Sequence, residues 1–178
     1  MAPTKMVIPP EAFLVNHLFE DASFFLKEAQ NTEGKDPKKA RTYVRASVIT
    51  SFAALEALVN TLLVAVDAIE DLELPERAFA QEKRVELADD GYFEIKGQQL
   101  RSLEQKVRFL NWRTNGTRIS RRDTVWASFL SATRFRNGLV HPKPGQTSYS
   151  GLTAHAAESC LIAVQKVAQI LGWRSSDL

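Results

Sequence analysis

The chain has 178 residues, 44% hydrophobic and 25% charged, an ordinary globular composition that excludes a disordered or fibrous protein. Its length suits one domain, read as a single unit over 1–178 with a core from about 10 to 172. The formal net charge of +2 and a lone cysteine, Cys160, exclude a strongly charged chain and an intrachain disulfide.

The first predicted helix runs from about Pro10 to Gln30, where Phe13, Leu14, Leu18, Phe24, Phe25 and Leu26 recur at near-helical spacing. A loop, Asn31 to Lys38, follows. The second helix, about Pro37 to Ile69, carries Val44, Val48, Phe52, Leu55, Val59, Leu62 and Val66 as one unbroken stripe, which Ile49, Ala53 and Leu63 broaden. Glu56, Asn60 and Asp67 interrupt the most apolar stretch, Ser51 to Ile69, so no membrane span is expected. No apolar leader precedes it, and a cytoplasmic protein is expected.

Leu74 to Gln98 is ambiguous. Pro75 to Ala88 suits a helix, and Val85 to Lys96 around Asp90-Gly91 suits a hairpin; the assignment is a short helix and then a loop. A helix from Gln99 to Thr114 follows, with Leu100, Leu103, Val107 and Leu110 as its stripe and Asn115-Gly116 as its stop. Ser120 with Asp123 has the capping-box spacing for the next helix, whose inner face is Val125, Trp126, Phe129, Leu130 and Thr133. Pro142 ends that helix at or just before His141. Pro144 to Gly151 is a loop, and the last helix runs from about Thr153 to Leu171 and closes at Gly172. The expected fold class is all-α, a bundle of about five helices.

The charge is unevenly distributed. From Glu56 to Glu94 eleven acids face three bases, a net of −8; from Lys96 to Pro144 eleven bases face two acids, a net of +9. Such a basic segment is the electrostatic footprint of a polyanion binder, or else a set of arginines paired with the acidic segment. Phe109, Trp112 and Trp126 lie within it, able to stack bases or to fill a core. His17, His141 and His155 are far apart, and no HExxH, CxxC, GxGxxG or GxxxxGK[ST] pattern occurs, so no metal and no cofactor is expected. Cys160 reads as a small buried apolar residue. His17 and His155 receive no role.

The sharpest local pattern is Arg134-Phe135-Arg136-Asn137, followed after three more residues by His141-Pro142-Lys143 at a predicted helix end. Arg136-Asn137…His141 resembles the R-x(4–6)-H signature of HEPN domains (higher eukaryotes and prokaryotes nucleotide-binding). Ser51 to Asn60 with Glu56, and Leu103 to Lys106, resemble other helical parts of that family. The resemblance spans about Arg41 to Leu171.

The resemblance implies a helical dimer with the two motifs facing each other, acting as a metal-independent endoribonuclease, a toxin or a defence component, in some cases beside an antitoxin partner. It implies His141, Arg136 and Asn137 as catalytic residues, and Arg134 and Lys143 as substrate-binding ones. Glu56, Asn60 and Lys106 form a supporting set behind them, with Glu56 as a bridge to Lys106 or to a motif arginine, because a carboxylate on an apolar helix needs a partner. Imidazole serves as acid or base near neutral pH, and a guanidinium grips two phosphate oxygens. A non-catalytic HEPN-like dimer that binds a nucleotide, RNA or a protein fits the same residues. Some family members carry a modifiable tyrosine two residues after the histidine; here Lys143 stands there, and Tyr149 is no substitute.

Overall fold

The structure, a computed structural model, describes residues 13–70, 72–120, 122–141 and 151–174. In chain order it has α1 (Phe13–Thr32), α2 (Pro37–Asp67), α3 (Leu74–Ala80), β1 (Lys83–Leu87), β2 (Phe93–Gln98), α4 (Leu103–Asn115), α5 (Thr124–Val140) and α6 (Ala154–Ile170). The described residues are mostly helical, consistent with the expected all-α class, with six helices rather than about five and one small two-stranded sheet. The chain divides into two compact units, both of which include part of α2. Val59–Arg118 lies in one, and Pro9–Leu58 with Ile119–Leu178 in the other.

α2 begins where Asp36 Oδ1 accepts the amide hydrogens of Lys38 and Lys39, at 3.1 and 3.0 Å, with Pro37 in the first turn, where its missing N–H costs nothing. Each of the seven stripe residues is 1% exposed or less. Burying one such side chain is worth about 1.5–3 kcal/mol, so the stripe sets the orientation of the helix. Ile49 is the exception to the broader stripe, at 46% exposed. Despite Glu56, Asn60 and Asp67, α2 is long and apolar enough to cross a membrane by length and composition alone, with a mean hydropathy of 1.8 over 18 residues. Its stripe is nonetheless buried within the protein, as in any central core helix.

In the unit of α1, α5 and α6, Phe19 and Trp173 pack with ring centres 4.5 Å apart, and Trp173 Nε1 donates to Asn16 Oδ1 at 2.8 Å. Ser47 Oγ, fully buried on α2, donates to the Ala22 carbonyl at 2.8 Å. These bonds satisfy polar groups that burial would otherwise penalise.

The start of α5 differs from the capping-box expectation. The helix begins at Thr124, and Asp123 itself is the cap, its Oδ1 accepting the amides of Val125 and Trp126 at 2.8 and 3.1 Å. The Ser120 hydroxyl accepts the Arg122 amide, one turn too early. Because a carboxylate outcompetes the hydroxyl for the positive end of the helix, Asp123→Ala will lower the unfolding free energy by about 1 kcal/mol and Ser120→Ala far less, as urea denaturation will show. α5 then runs through Gly138 to Val140, with His141 as its final cap. α6 is capped by Thr153 and closes at Gly172, φ +93°.

In the Val59–Arg118 unit, the hairpin is present where a loop was assigned. β1 and β2 pair antiparallel, with Val85 opposite Ile95. The Ala88 amide donates to the Tyr92 carbonyl at 2.8 Å and that of Gly91 to the Ala88 carbonyl at 2.9 Å. With Gly91 at φ +85°, this is a type I turn closed by a left-handed residue, a common three-residue hairpin loop. α4 begins later than expected, because Ser102 and Gln105 form a reciprocal capping box. Leu100 therefore lies outside the helix and is exposed, while Val107 and Leu110 are buried. Gly116, φ +66°, stops α4 as expected.

Candidate functional site

The Arg136-Asn137…His141 motif occupies the last turn of α5. Helical geometry sorts its side chains onto two faces. Arg136 lies one turn beyond Ala132 and two beyond Phe129, both buried, and so turns toward α2. Arg134, Asn137 and His141 fall on an exposed strip. The His141 amide donates to the Asn137 carbonyl at 2.8 Å, which holds the imidazole at the helix end beside that strip.

Arg136 is held by its neighbours. Its Nη2 donates to Glu56 Oε1 at 3.1 Å, with 28% of the arginine side chain and 43% of the glutamate exposed. Nη1 donates to Asn137 Oδ1 at 3.2 Å, the guanidinium carbon lies 5.8 Å from the centre of the Phe52 ring, and Nε is buried with no hydrogen-bond partner among the described residues. A partly exposed pair contributes at most ~1 kcal/mol to stability; its effect here is orientation. The bridge expected of Glu56 therefore goes to the motif arginine. Because Asn137 Oδ1 faces Arg136, the two N–H donors of the amide are left for another acceptor.

The rest of the supporting set goes elsewhere. Lys106 Nζ donates to Asn60 Oδ1 at 3.3 Å and pairs with Glu82 Oε1 at 3.1 Å, within the other unit. Lys143, assigned to substrate binding, lies outside the described residues, as do Pro142 and Tyr149. His17 and His155 are exposed and pair with Glu20 and Glu158.

The charge split is partly internal pairing. Lys96, Lys106, Arg113 and Arg136 of the basic segment pair with Glu94, Glu82, Glu76 and Glu56 of the acidic one. Arg118, Arg122 and Arg134 are exposed. Trp126, 1% exposed, belongs to the core, whereas Trp112 on α4 is partly exposed beside Phe109, with ring centres 6.3 Å apart.

Glu82 is a residue that the sequence motifs did not single out. It has φ +52°, a conformation uncommon for a side-chain-bearing residue. Its carbonyl accepts the Gln99 amide at 2.6 Å, and Oε1 accepts the Arg101 amide at 3.0 Å. That backbone bond, aided by Lys106, holds the carboxyl below its usual range against the opposing effect of burial. The signal for it is only the position between helix and strand.

Cys160 is buried, as expected, and burial pushes its thiol up to about 11. It is therefore a poor nucleophile, although it lines a groove of about 300 Å³ between α5 and α6 with Ser128, Ser131, Phe135 and Ser159. Among the described residues no group of three His, Cys, Asp or Glu could hold a metal ion. No family model, curated protein or solved structure matches the chain.

Proposed function

We propose that the chain is an HEPN-like endoribonuclease that needs no metal, acting in the cytoplasm as a toxin or defence component. The observation that carries this reading is the exposed strip of Arg134, Asn137 and His141 at the end of α5, backed by an arginine that Glu56 holds in place. In this reading Arg134 supplies the mobile cation for a phosphate, and the Asn137 amide donates to a phosphate oxygen. Arg136, turned inward, is a positioning residue that acts through Asn137.

The reaction takes place within the RNA strand. The 2′-hydroxyl gives its proton to an imidazole, its oxygen attacks the adjacent phosphorus, and the P–O5′ bond breaks. An imidazolium protonates the leaving O5′, and no water or metal enters. One histidine cannot be both proton acceptor and proton donor in a single step, so His141 of a second copy completes the site in a two-fold dimer. The products are a 2′,3′-cyclic phosphate and a 5′-hydroxyl. Incubating the protein with mixed-sequence RNA in excess EDTA and analysing the new ends tests this. Cleavage with those ends supports the reading, and cleavage only after Mg²⁺ is restored overturns it.

One observation favours a second reading. Both terminal nitrogens of Arg136 are already engaged, by Glu56 and Asn137, as suits a non-catalytic module that binds RNA, a nucleotide or a partner. RNA binding that weakens with salt but leaves the strand intact marks that case.

A further inference from the structure

The hairpin carries an apolar face and a charge pattern that its own fold does not explain. Along its apolar face, Leu87 and Phe93 stand opposite each other and are 63% and 64% exposed; Tyr92, 75% exposed at the turn, falls by strand alternation on the other face. On the other face Glu86 stands opposite Glu94 and Arg84 opposite Lys96. Like charges directly opposite are unfavourable in an antiparallel pair. The hairpin tolerates them through pairs along each strand, Arg84 with Glu86 at 2.7 Å and Lys96 with Glu94 at 3.0 Å.

Both strands read as charge-antisymmetric about their centres. β2 is Phe93-Glu94-Ile95-Lys96-Gly97 around Ile95, and β1 has Arg84 and Glu86 around Val85. A strand with this pattern complements itself when turned end for end. The hydrogen-bond phase agrees. Ala88 and Tyr92 form a hydrogen-bonded pair, so by alternation Val85 and Ile95 form a non-hydrogen-bonded one. The N–H and C=O of Ile95 then point away from β1, toward the outer edge of β2. β1 also packs beside α3, which leaves β2 as the more open edge.

We propose that the outer edge of β2 is a homodimerisation surface, and that β2 of a second copy pairs antiparallel with it about a two-fold axis at Ile95. Ile95 then exchanges both backbone hydrogen bonds with its own counterpart. Glu94 stands opposite Lys96 of the second copy and Lys96 opposite its Glu94, so the like-charge neighbours within each hairpin gain opposite-charge neighbours across the axis. Phe93 stands opposite Gly97 of the second copy, a bulge position at φ +52° over which that copy's own Arg84 side chain lies. The two hairpins become one four-stranded sheet, an arrangement more stable than an isolated two-stranded one. This surface does not depend on the ribonuclease reading.

Charge reversal tests it with sedimentation equilibrium as the readout. Glu94→Lys places two lysines opposite two lysines, Lys96→Glu places glutamates opposite glutamates, and each alone will weaken dimerisation about ten- to a hundredfold. Combining both changes in one chain restores opposite-charge pairing and wild-type association. An equimolar mixture of the two single variants will form a heterodimer, which also shows that each variant is folded. A wild-type chain that stays monomeric at every concentration reached overturns the proposal. So does a dimer indifferent to either reversal, or single variants that fail to associate with each other.

Discussion

His141→Ala will slow RNA cleavage by about 10²–10⁴-fold, the usual contribution of a positioned acid or base. Its melting temperature will remain close to that of the wild type. The second half of this expectation follows from the first part of the geometry. The imidazole is exposed, and the bond that ends α5 is made by the His141 backbone amide rather than by the ring. Removing the ring therefore leaves no cavity and no unpaired buried group. Single-turnover cleavage in EDTA, with thermal unfolding as control, checks both halves. A variant as active as the wild type removes His141 from the chemistry and leaves the binding reading. Arg136→Ala differs in kind, because it frees Glu56 and removes the donor that orients Asn137. Its loss will appear in the chemical step more than in RNA affinity, which Arg134 still supports.

A periodic apolar stripe made α2 legible but misplaced the face of α1, where Leu14 and Phe24 are exposed and Val15, Phe19, Ala22 and Ala29 are buried. The stripe from Val44 to Val66 is buried at every position, because burial energy adds along a face regardless of what lies opposite. Stops were equally legible where one residue controls the backbone, as Gly116 and Gly172 do with positive φ. The errors have other causes. Ile49 is off the stripe, and its exposure depends on which neighbour is present rather than on its own spacing. Ser120 matched a capping pattern, but Asp123 three residues on is the stronger cap, and the pattern does not rank the two. Asp90-Gly91 marked the hairpin as one of two options, but its strands, Lys83–Leu87 and Phe93–Gln98, are short and charged, and tertiary context rather than propensity decides such segments.

The site was legible as a set of residues and not as an arrangement. Spacing placed Arg136, Asn137 and His141 on one helix end, and the structure agrees. The same spacing put Arg136 on the inner face, one turn beyond Ala132, a consequence that follows from 3.6 residues per turn once the core face is known. The supporting set divides: Asn60 and Lys106 do meet, at 3.3 Å, while Glu56 bridges to Arg136 and Lys106 takes Glu82 as its charge partner. No sequence pattern marks a lone glutamate between a helix and a strand as a charge partner.

Phe52→Ala will lower the unfolding free energy by about 3–5 kcal/mol, the largest effect expected of any single stripe position, and will weaken cleavage as well. Phe52 is 1% exposed and stacks on Phe129 with ring centres 6.1 Å apart, so truncation leaves a cavity that the surrounding helices only partly close. Its ring also faces the motif arginine. Glu56 follows Phe52 by four positions on α2, one turn along the same side. The ring and the carboxylate therefore meet the Arg136 guanidinium together, the ring centre 5.8 Å from the guanidinium carbon and the carboxylate 3.1 Å from Nη2. Loss of the ring removes the floor on which that guanidinium rests, and Asn137 loses its fixed donor in turn. Phe52→Leu separates the two consequences. It refills most of the volume and restores most of the stability, but it offers no aromatic face to the cation. Urea denaturation will rank the three chains wild type, Leu, Ala. If Arg136 acts through its orientation, cleavage by the Leu variant will fall further than its stability does. Cleavage that tracks stability alone in both variants would assign Phe52, and the pair above it, to the core and nothing more.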